Sequence, residues 1–359
     1  MDDLIGSGSN DARFVAFLAD WRAILVGRVD QVRDELMAIY GLSAVVLAGS
    51  HGRSAPWPLS DIDLILIARQ GSEEAVRATV SRVGDRLTGE WAEAGWWTGL
   101  DAGNLLFSVG EIDAGLADGV APLALLGEPR WFHTMDKAFG GRVLLEDADR
   151  RAGRLAAWAT SSRFDGRVID ERTRRLGDEL ETAIELGRRA SRDGDWVRAT
   201  LALWRAIQLT QIALMNGWGH RDDSLGRFGT RFAIAAAENG QPALPVRLDA
   251  LMDLDPDSLC RRFRRAPDWV RLRHDRSYRA RLAIGENIDR LSDRRDTIRV
   301  SARYDAARHD GPTFPEWLGI VTDQHDLNRR LDEIMAVVEL SNRTRHPTSR
   351  KSRTSWSNG

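Results

Sequence analysis

Two aspartates stand two residues apart at the start of an apolar run, and a Gly-Ser pair closes the apolar run before it. Asp61 and Asp63 belong to the segment DIDLILIA, which predicts a buried β-strand. Because alternate side chains of a strand leave the same face, both carboxylates point to one side. Neighbouring carboxylates repel each other unless a cation lies between them, and Mg²⁺ takes one or two protein carboxylates and completes its shell with water and phosphate oxygens. The pair therefore predicts a site for Mg²⁺, or for Mn²⁺ in its place.

The segment ahead of the aspartates predicts a phosphate-binding loop. Gly49 permits a close backbone approach, while Ser50 and the neighbouring N–H groups can hold phosphate oxygens. Arg53 would add a positive charge to a polyphosphate, and Ser60 would cap or orient Asp61. The loop therefore supplies the contacts that a nucleoside triphosphate requires.

The spacing between loop and aspartates also suits this chemistry. Ten residues separate Ser50 from Asp61, which is enough for a short helical turn and a loop that bring the two strands side by side. His51 lies inside this loop, where it either touches the γ-phosphate or faces solvent. One compact unit would then hold metal and triphosphate and support in-line attack of a hydroxyl on the α-phosphate.

The elements that position these residues follow from the hydrophobic pattern. Apolar residues at spacings of three and four predict a helix over 11–40, which Gly41 ends. Ser72 opens a second helix, with two acidic residues in its first turn. The predicted strands are SAVVLAG, DIDLILIA, GNLLFSVGE and a short one at GRVLLED. After Arg150 the strand signals stop and helical patterns continue, so the sequence predicts an α+β fold with a small mixed sheet followed by an α-helical bundle.

Four segments are expected along the 359-residue chain. They are a flexible N-terminus at 1–10, an α/β domain at 11–150, a helical bundle that binds the acceptor at 151–340, and a disordered tail at 341–359. The length suits two domains, and both ends are polar with few aliphatic side chains.

The composition restricts the class of protein. With 51 basic and 53 acidic residues the formal net charge is -2, which gives no support to a general nucleic-acid or membrane-surface binder. The single cysteine, Cys260, excludes an internal disulfide and fits a reducing compartment. The N-terminal stretch lacks the apolar core of a signal peptide, and no apolar run is long enough for a membrane helix. We therefore expect a cytoplasmic protein without membrane contact, and the sequence leaves its oligomeric state open.

The run GSHGRSAPWPLSDIDL resembles the Gly-Ser, ten-residue gap, Asp-x-Asp signature of the DNA polymerase β-like nucleotidyltransferase superfamily. It is most similar to the small bacterial members, which include antibiotic nucleotidyltransferases with a C-terminal helical domain. The match covers residues 43–68 and extends loosely over the rest of the α/β domain. The resemblance implies that Asp61 and Asp63 bind metal, that Gly49 and Ser50 contact the nucleotide phosphates, and that a nucleoside monophosphate moves from an NTP, with ATP expected, to a hydroxyl. The acceptor is expected in the cleft between the two domains.

The resemblance also implies a third carboxylate from a later strand, near LDAGNLLFSV. Asn104 stands where that acid would be sought, while Asp101 precedes the strand. Glu111 and Asp113 follow the strand and are interpreted as the acidic pair of a helix N-terminus. If Asn104 occupies the third position, the acid must come from elsewhere, with Asp101 as one candidate. The other candidates are glutamates of the first bundle helix, Glu179, Glu181 and Glu185.

Three functions stay open at this point. The first is transfer of AMP to a small hydroxyl-bearing molecule such as an antibiotic. The second is transfer to tRNA or protein, as in toxin–antitoxin systems; the basic run from Cys260 to Arg281 favours RNA slightly, and the neutral overall charge disfavours it. The third is a catalytically impaired nucleotide-binding regulator, for which Asn104 is the argument.

Overall fold

The computed structural model describes residues 8–118, 120–221, 225–308, 317 and 319–343. The first helix begins at Gly8 and the last ends at Arg343. Most of the expected flexible N-terminus and nearly all of the expected disordered tail therefore lie outside the described residues.

A mixed five-stranded sheet forms the N-terminal part of the molecule. Its strands are β1 (Leu42–Leu47), β2 (Ile62–Ala68), β3 (Leu100–Asp101), β4 (Leu106–Ser108) and β5 (Arg142–Leu145). β1 pairs antiparallel with both β2 and β5. β3 and β4 pair parallel with the other edge of β2. β2 thus lies between β1 and the two short strands.

Seven helices accompany the sheet along the described chain. They are α1 (Gly8–Met37), α2 (Gly49–Gly52), α3 (Glu73–Ala94), α4 (Val109–Gly115), α5 (Pro122–Leu125), α6 (Pro129–Ala138) and α7 (Arg151–Ser162). The remainder of the described chain is helical. Its elements are α8 (Gly166–Arg192), α9 (Trp196–Gly217), a 3-10 turn (Leu225–Arg227), α10 (Phe228–Glu238), α11 (Leu244–Ala250), α12 (Pro256–Arg265), α13 (Asp268–Ala283), α14 (Arg290–Arg308) and α15 (Gln324–Arg343). The predicted α+β fold, a small mixed sheet followed by a largely helical region, is confirmed.

β2 is buried on both faces, as its continuous apolar run predicts. Because side chains alternate along a strand, its residues enter two different cores. Ile62, Leu64 and Leu66 pack with residues of α1 and α3. Ile65 and Ile67 pack with residues of α4, α6 and α7. Two helical layers therefore fix β2 from opposite sides and hold its N-terminal end in place.

The strand predicted at GNLLFSVGE is present but shorter, because only Leu106–Ser108 (β4) are extended. The segment begins with a bend at Gly103–Leu105, and the two-residue strand β3 precedes it. The last three residues of the segment are helical, because Ser108 and Glu111 form a capping box that opens α4. Glu111 thus has the helix N-terminal position that the sequence predicts.

The chain separates into two compact units. One contains the residues up to Arg175 together with Met215–Gly319, and the other contains Leu176–Leu214 together with the residues from Ile320 onward. The first unit therefore includes the sheet and also α10 to α14. The expected division into domains at about residue 150 stays a prediction.

Within the described part of the chain, every helix is too short or too polar to traverse a lipid bilayer.

Candidate active site

Asp61 and Asp63 lie where the sequence predicts them, at the start of β2. Asp63 is the second residue of the strand and is 6% exposed, while Asp61 precedes the strand and is exposed. Side chains point alternately to the two faces along this segment, so Asp61 and Asp63 point to the same side as Ile65 and Ile67, which enter the core beneath α6. The two carboxylates therefore share the face of the sheet that α6 covers.

The Gly-Ser turn lies directly against the second aspartate. Ala48 N donates a hydrogen bond to Asp63 O over 2.9 Å, and Gly49 follows with φ of +59°. A Cβ atom at Gly49 would lie 1.8 Å from Asp63 Oδ2, which is an impossible approach. Glycine is thus required here for its backbone conformation and for the space that the carboxylate occupies. The structure brings Gly49 and Asp63 together, as the motif predicts.

The two predicted serines close the loop between β1 and β2. Ser50 Oγ donates to Ser60 Oγ over 3.0 Å, and Ser60 Oγ also accepts a hydrogen bond from Trp57 N over 3.0 Å. Trp57 is buried, and the Arg227 guanidinium lies 4.8 Å from the centre of its ring. Ser60 therefore holds the loop in shape, and its contacts are with Ser50 and Trp57 rather than with the first aspartate that it was expected to cap.

His51 and Arg53 lie on the inner side of this loop. His51 is 5% exposed, so the interpretation of a solvent-facing histidine is wrong. Burial lowers its pKa to about 4, with Asp63 opposing that shift, so the imidazole is neutral at pH 7. The stem of Arg53 lies close to Gly140, where a Cβ atom would come within 2.9 Å of Arg53 Cγ. The predicted phosphate loop therefore rests on the turn that joins α6 to β5.

Lys137 is a residue of the candidate site that the sequence did not predict. It lies in the last turn of α6, and its Nζ forms an ion pair with Asp63 Oδ1. A signal for it exists in the composition, because only two of the 51 basic residues are lysines. A lysine is a compact charge on a flexible stem, so it can exchange partners more readily than the planar arginine fork. The chain thus places one of its two lysines at the aspartate pair.

The neighbouring residue, Asp136, fixes the end of α6. Its carboxylate binds Arg163 Nε over 2.5 Å and also pairs with Arg172, and both arginines are 2% exposed. Arg172 further donates to Phe132 O over 2.8 Å. Burial alone would raise the pKa of Asp136, but the positive charges of Arg163, Arg172 and Arg221 outweigh it and hold that pKa below its ordinary value. This group, Asp136 with Arg163 and Arg172, is called the Asp136 cluster below.

A third carboxylate stands beside the pair on the adjacent strand. Asp101 is aligned with Asp63 across the parallel pairing of β3 with β2. Asn104 donates from Nδ2 to Asp101 Oδ1 over 2.9 Å, so the amide orients this acid instead of replacing it. Of the glutamates considered as alternatives, Glu179 lies on α8 and pairs with Arg205 over 2.8 Å. The group of Asp61, Asp63, Asp101 and Lys137 is called the carboxylate site below.

The carboxylate site contains more negative than positive charge. The pKa of Asp61 is raised to about 6, although the residue keeps an exposed surface: loss of surrounding water contributes most, Asp63 and Asp101 add repulsion, and Lys137 opposes them. Burial would lower the pKa of Lys137, but the three aspartates outweigh it and raise that pKa, so the lysine stays charged. Three carboxylates therefore share the charge of one lysine.

The donor set fits a hard divalent cation that arrives with ligands of its own. Mg²⁺ binds carboxylate oxygens and usually keeps several waters or phosphate oxygens instead of entering an all-protein cage. Within the part of the chain that the structure describes, no three His, Cys, Asp or Glu side chains form such a cage. Asp63 moreover already holds Lys137. The site thus suits a metal–phosphate complex better than a permanently bound structural metal.

The basic run from Cys260 to Arg281 does not form one continuous basic surface. Arg262 is 8% exposed and pairs with Asp253, while Arg281 is fully buried among three acidic side chains. Buried arginines are unavailable to a nucleic-acid backbone. The helices are therefore balanced in good part by their own acidic neighbours.

Comparison of the chain with models of known protein families, with curated proteins and with solved structures finds no match.

Proposed function

We propose that this protein is a Mg²⁺-dependent nucleotidyltransferase of the polymerase β-like class. It transfers a nucleoside monophosphate, with AMP expected, from an NTP to a hydroxyl of a small molecule, and it acts in the cytoplasm. The observation that carries the proposal is the meeting of three carboxylates at the Gly49 turn. Asp63 and Asp101 are aligned across two paired strands, Asp61 directly precedes the first of these strands, and Gly49 contacts Asp63.

In this reaction the chain has to hold the triphosphate, orient the acceptor and remove a proton. The turn at Gly49 and Ser50 is positioned for the triphosphate tail, because only a residue without a side chain leaves room for Asp63 there. The acceptor oxygen attacks the α-phosphorus, the bond from that phosphorus to the β-phosphate oxygen breaks, and diphosphate leaves. Asp101, oriented by Asn104, takes the proton of the acceptor hydroxyl.

Asp61 and Asp63 are the residues that would hold the metal. When bound, Mg²⁺ supplies positive charge to the phosphate oxygens on which negative charge develops. The excess of carboxylates at this site is unfavourable by itself, as the raised pKa of Asp61 indicates. A metal ion supplies the physical reason for keeping it.

Lys137 has two roles in this account. It neutralises Asp63 when that carboxylate carries no other cation. Once released from Asp63, its charge is available to the departing diphosphate, which Lys binds as a point charge. The ion pair is therefore an exchangeable contact rather than evidence against a cation site.

The regulator hypothesis loses its main argument, because Asn104 holds an acid instead of substituting for one. Transfer to tRNA or protein is disfavoured by the internal pairing of the basic run. Both alternatives remain outcomes of the test below.

The test uses α-labelled NTPs with Mg²⁺ or Mn²⁺ against three acceptor classes: aminoglycosides, tRNA and protein. We expect label on a small molecule, with transfer at least about 1,000-fold slower in Asp61→Asn and Asp63→Asn, equivalent to about 4 kcal/mol. Asp85→Asn, an exposed acid in the middle of α3, is the matched control and keeps wild-type activity. Full activity in Asp63→Asn would refute the assignment, and label on tRNA or protein alone would select the second hypothesis.

A further inference from the structure

Trp57, in the loop between β1 and β2, is contacted by the 3-10 turn that precedes α10. The Arg227 guanidinium lies 4.8 Å from the centre of the Trp57 ring, and both side chains are buried. A Cβ atom at Gly226 would lie 3.3 Å from Trp57 Cζ2, so the backbone of this glycine also lies against the indole. A cation over a tryptophan face attracts more strongly when water is excluded from the contact. The turn therefore holds Trp57 through a glycine backbone and a buried charge.

The turn that carries Arg227 is itself fixed by a buried acid of α14. Asp296 Oδ1 accepts a hydrogen bond from Gly229 N over 2.8 Å, and Asp296 Oδ2 accepts one from Thr230 Oγ1 over 2.6 Å. Arg281 of α13, also buried, donates to the same carboxylate over 3.0 Å. A Cβ atom at Gly229 would lie 2.6 Å from Asp296 Oδ1, so glycine is needed where the acid meets the start of α10. The position of Arg227 is therefore determined by α13 and α14 and not by the loop that it contacts.

Hydrogen bonds lead from Trp57 to the predicted phosphate loop. Trp57 N donates to Ser60 Oγ over 3.0 Å, and Ser60 N donates to Trp57 O over 2.9 Å. Ser50 Oγ donates to Ser60 Oγ over 3.0 Å. Ser60 is buried, while Ser50 is half-buried and keeps some of its surface in solvent. The chain of contacts from Trp57 through Ser60 to Ser50 is called the serine relay below.

The serine relay suits a phosphate oxygen placed at Ser50. A hydroxyl has one proton and two lone pairs, so each serine can donate one hydrogen bond and accept others. An anionic oxygen at Ser50 would take the Ser50 proton, and the Ser60 proton would then turn to Ser50. Because Trp57 N occupies a lone pair of Ser60, all three donors would point toward the anion, and hydrogen bonds in such a chain strengthen one another. The direction of the relay thus depends on Trp57 staying in place.

We propose that Arg227 is a positioning residue for the nucleotide: it fixes Trp57, and the serine relay then directs the Ser50 hydroxyl to the triphosphate. The proposal rests on the nucleotidyl transfer proposed above and adds that the helical part of the chain sets the affinity of the phosphate loop. Ser50 contacts the triphosphate tail, so this contact is made both before and during the transfer. Loss of Arg227 therefore raises the KM for NTP and leaves kcat nearly unchanged.

The test measures binding of a non-hydrolysable ATP analogue with Mg²⁺ to the full chain by isothermal titration calorimetry. Arg227→Met removes the cation and keeps an unbranched apolar side chain, whereas Arg227→Lys keeps a positive charge. Arg294→Met is the matched control, because the Arg294 guanidinium also lies 4.8 Å from the centre of an aromatic ring, that of Phe263, in a contact between α14 and α12. We expect the Kd to rise about tenfold in Arg227→Met, less in Arg227→Lys and not at all in Arg294→Met.

A second variant, Ser60→Ala, interrupts the serine relay without changing the contact between Arg227 and the indole. We expect it to raise the Kd for the analogue about tenfold as well. The double variant should bind about as weakly as either single variant, because both changes act on one path. In turnover, each single variant should raise the KM for NTP by the same factor as the Kd, with kcat within about twofold of the wild-type value.

The other outcomes overturn the proposal. Equal Kd values in wild type and Arg227→Met would show that Arg227 does not act on the nucleotide, and an equal rise in Arg294→Met would reduce the effect to a general loss of stability. Multiplied effects in the double variant would show that Arg227 and Ser60 act independently. If Arg227→Met does not fold, an unchanged Kd in Ser60→Ala overturns the relay by itself. Absence of binding by the wild-type chain would instead refute the proposed function, so the two failures are distinguishable.

Discussion

Two charged clusters meet at neighbouring residues of α6 and have opposite composition. The Asp136 cluster joins one carboxylate to two buried arginines. The carboxylate site, one residue further along, joins three carboxylates to Lys137. In the first the acid is tightly paired and its pKa is lowered, whereas in the second Asp61 has a raised pKa and an exposed surface.

The difference is the one expected between a structural use of charge and the proposed functional one. A buried charge is tolerated when opposite charges lie against it, and the ion pairs of the Asp136 cluster meet that condition while fixing the end of α6. The carboxylate site tolerates repulsion that the fold does not need, and it faces solvent at Asp61. Unrelieved charge at an accessible position is a property of sites that bind ions or substrates. The following variants test this contrast, from the largest expected effect to the smallest.

Replacing the acid on β3 should strongly reduce activity without lowering stability. Asp101→Asn removes the proposed base, and such groups contribute about 10²–10⁴-fold to rate. We expect that loss in kcat for labelled-NTP transfer, with the thermal unfolding midpoint unchanged or raised because one repulsive charge is gone. A variant that transfers at the wild-type rate would show that Asp101 is not the base.

By contrast, replacing the acid of the Asp136 cluster should strongly reduce stability. Asp136→Asn leaves Arg163 and Arg172 buried without a counter-charge, which we expect to reduce the free energy of unfolding by about 3–5 kcal/mol. Urea unfolding measures this, with Asp85→Asn as control. A loss below about 1 kcal/mol would mean that the cluster does not fix α6 in the way described.

The Asp136 cluster also predicts a pH dependence. The pKa of Asp136 is lowered in the folded state, so its contribution is present above the unfolded value of about 4 and is lost as pH falls through the folded value. The difference in unfolding free energy between wild type and Asp136→Asn should therefore shrink between about pH 5 and pH 2. A difference that stayed constant over that interval would contradict the lowered pKa.

Two glycine substitutions sharpen the comparison locally. Gly49→Ala introduces a Cβ atom onto Asp63 at a positive φ, and we expect it to lower stability by about 2–4 kcal/mol and to abolish transfer. Gly89→Ala places a methyl group in open space on α3 and should stabilise the protein by about 0.5–1 kcal/mol. Unfolding curves give the free energy of unfolding of both variants. Equal changes in the two variants would show that Gly49 is not crowded by Asp63.

The smallest effect is expected from the residue that orients the third acid. Asn104→Ala deletes one hydrogen bond to Asp101, worth about 1 kcal/mol, and should lower kcat about fivefold while the KM for NTP stays the same. Asn104→Asp, which adds a further negative charge, should reduce activity more than the alanine. A rate for Asn104→Asp equal to or above the wild-type rate would instead support position 104 as the third acid.

The sequence predicts those parts of the fold that are encoded locally. The continuous apolar runs identify β1 and β2, the spacing of three and four identifies α1, and the period of a strand places Asp61 and Asp63 on one face. The two-residue strand β3 and the early end of β4 are missed, because β3 is too short to show a period and a helix cap interrupts an apolar run without changing its hydrophobicity.

The remainder of the site depends on contacts between distant parts of the chain. Lys137 lies 74 positions after Asp63, and only the packing of α6 over β2 brings them together. The choice between Asp101 and Asn104 depends on the register of the two-residue strand β3 against β2, and two residues are too few for a hydrophobic pattern to fix that register. The scarcity of lysine is the one sequence signal that singles out position 137.

The most direct test of the account is Mn²⁺ binding, followed by electron paramagnetic resonance in the presence of a non-hydrolysable ATP analogue. We predict that the wild-type chain and Asp85→Asn bind Mn²⁺ together with the analogue and that Asp63→Asn does not. Equal binding by wild type and Asp63→Asn, or no binding by the wild-type chain, would contradict the claim that these aspartates hold a metal–nucleotide complex.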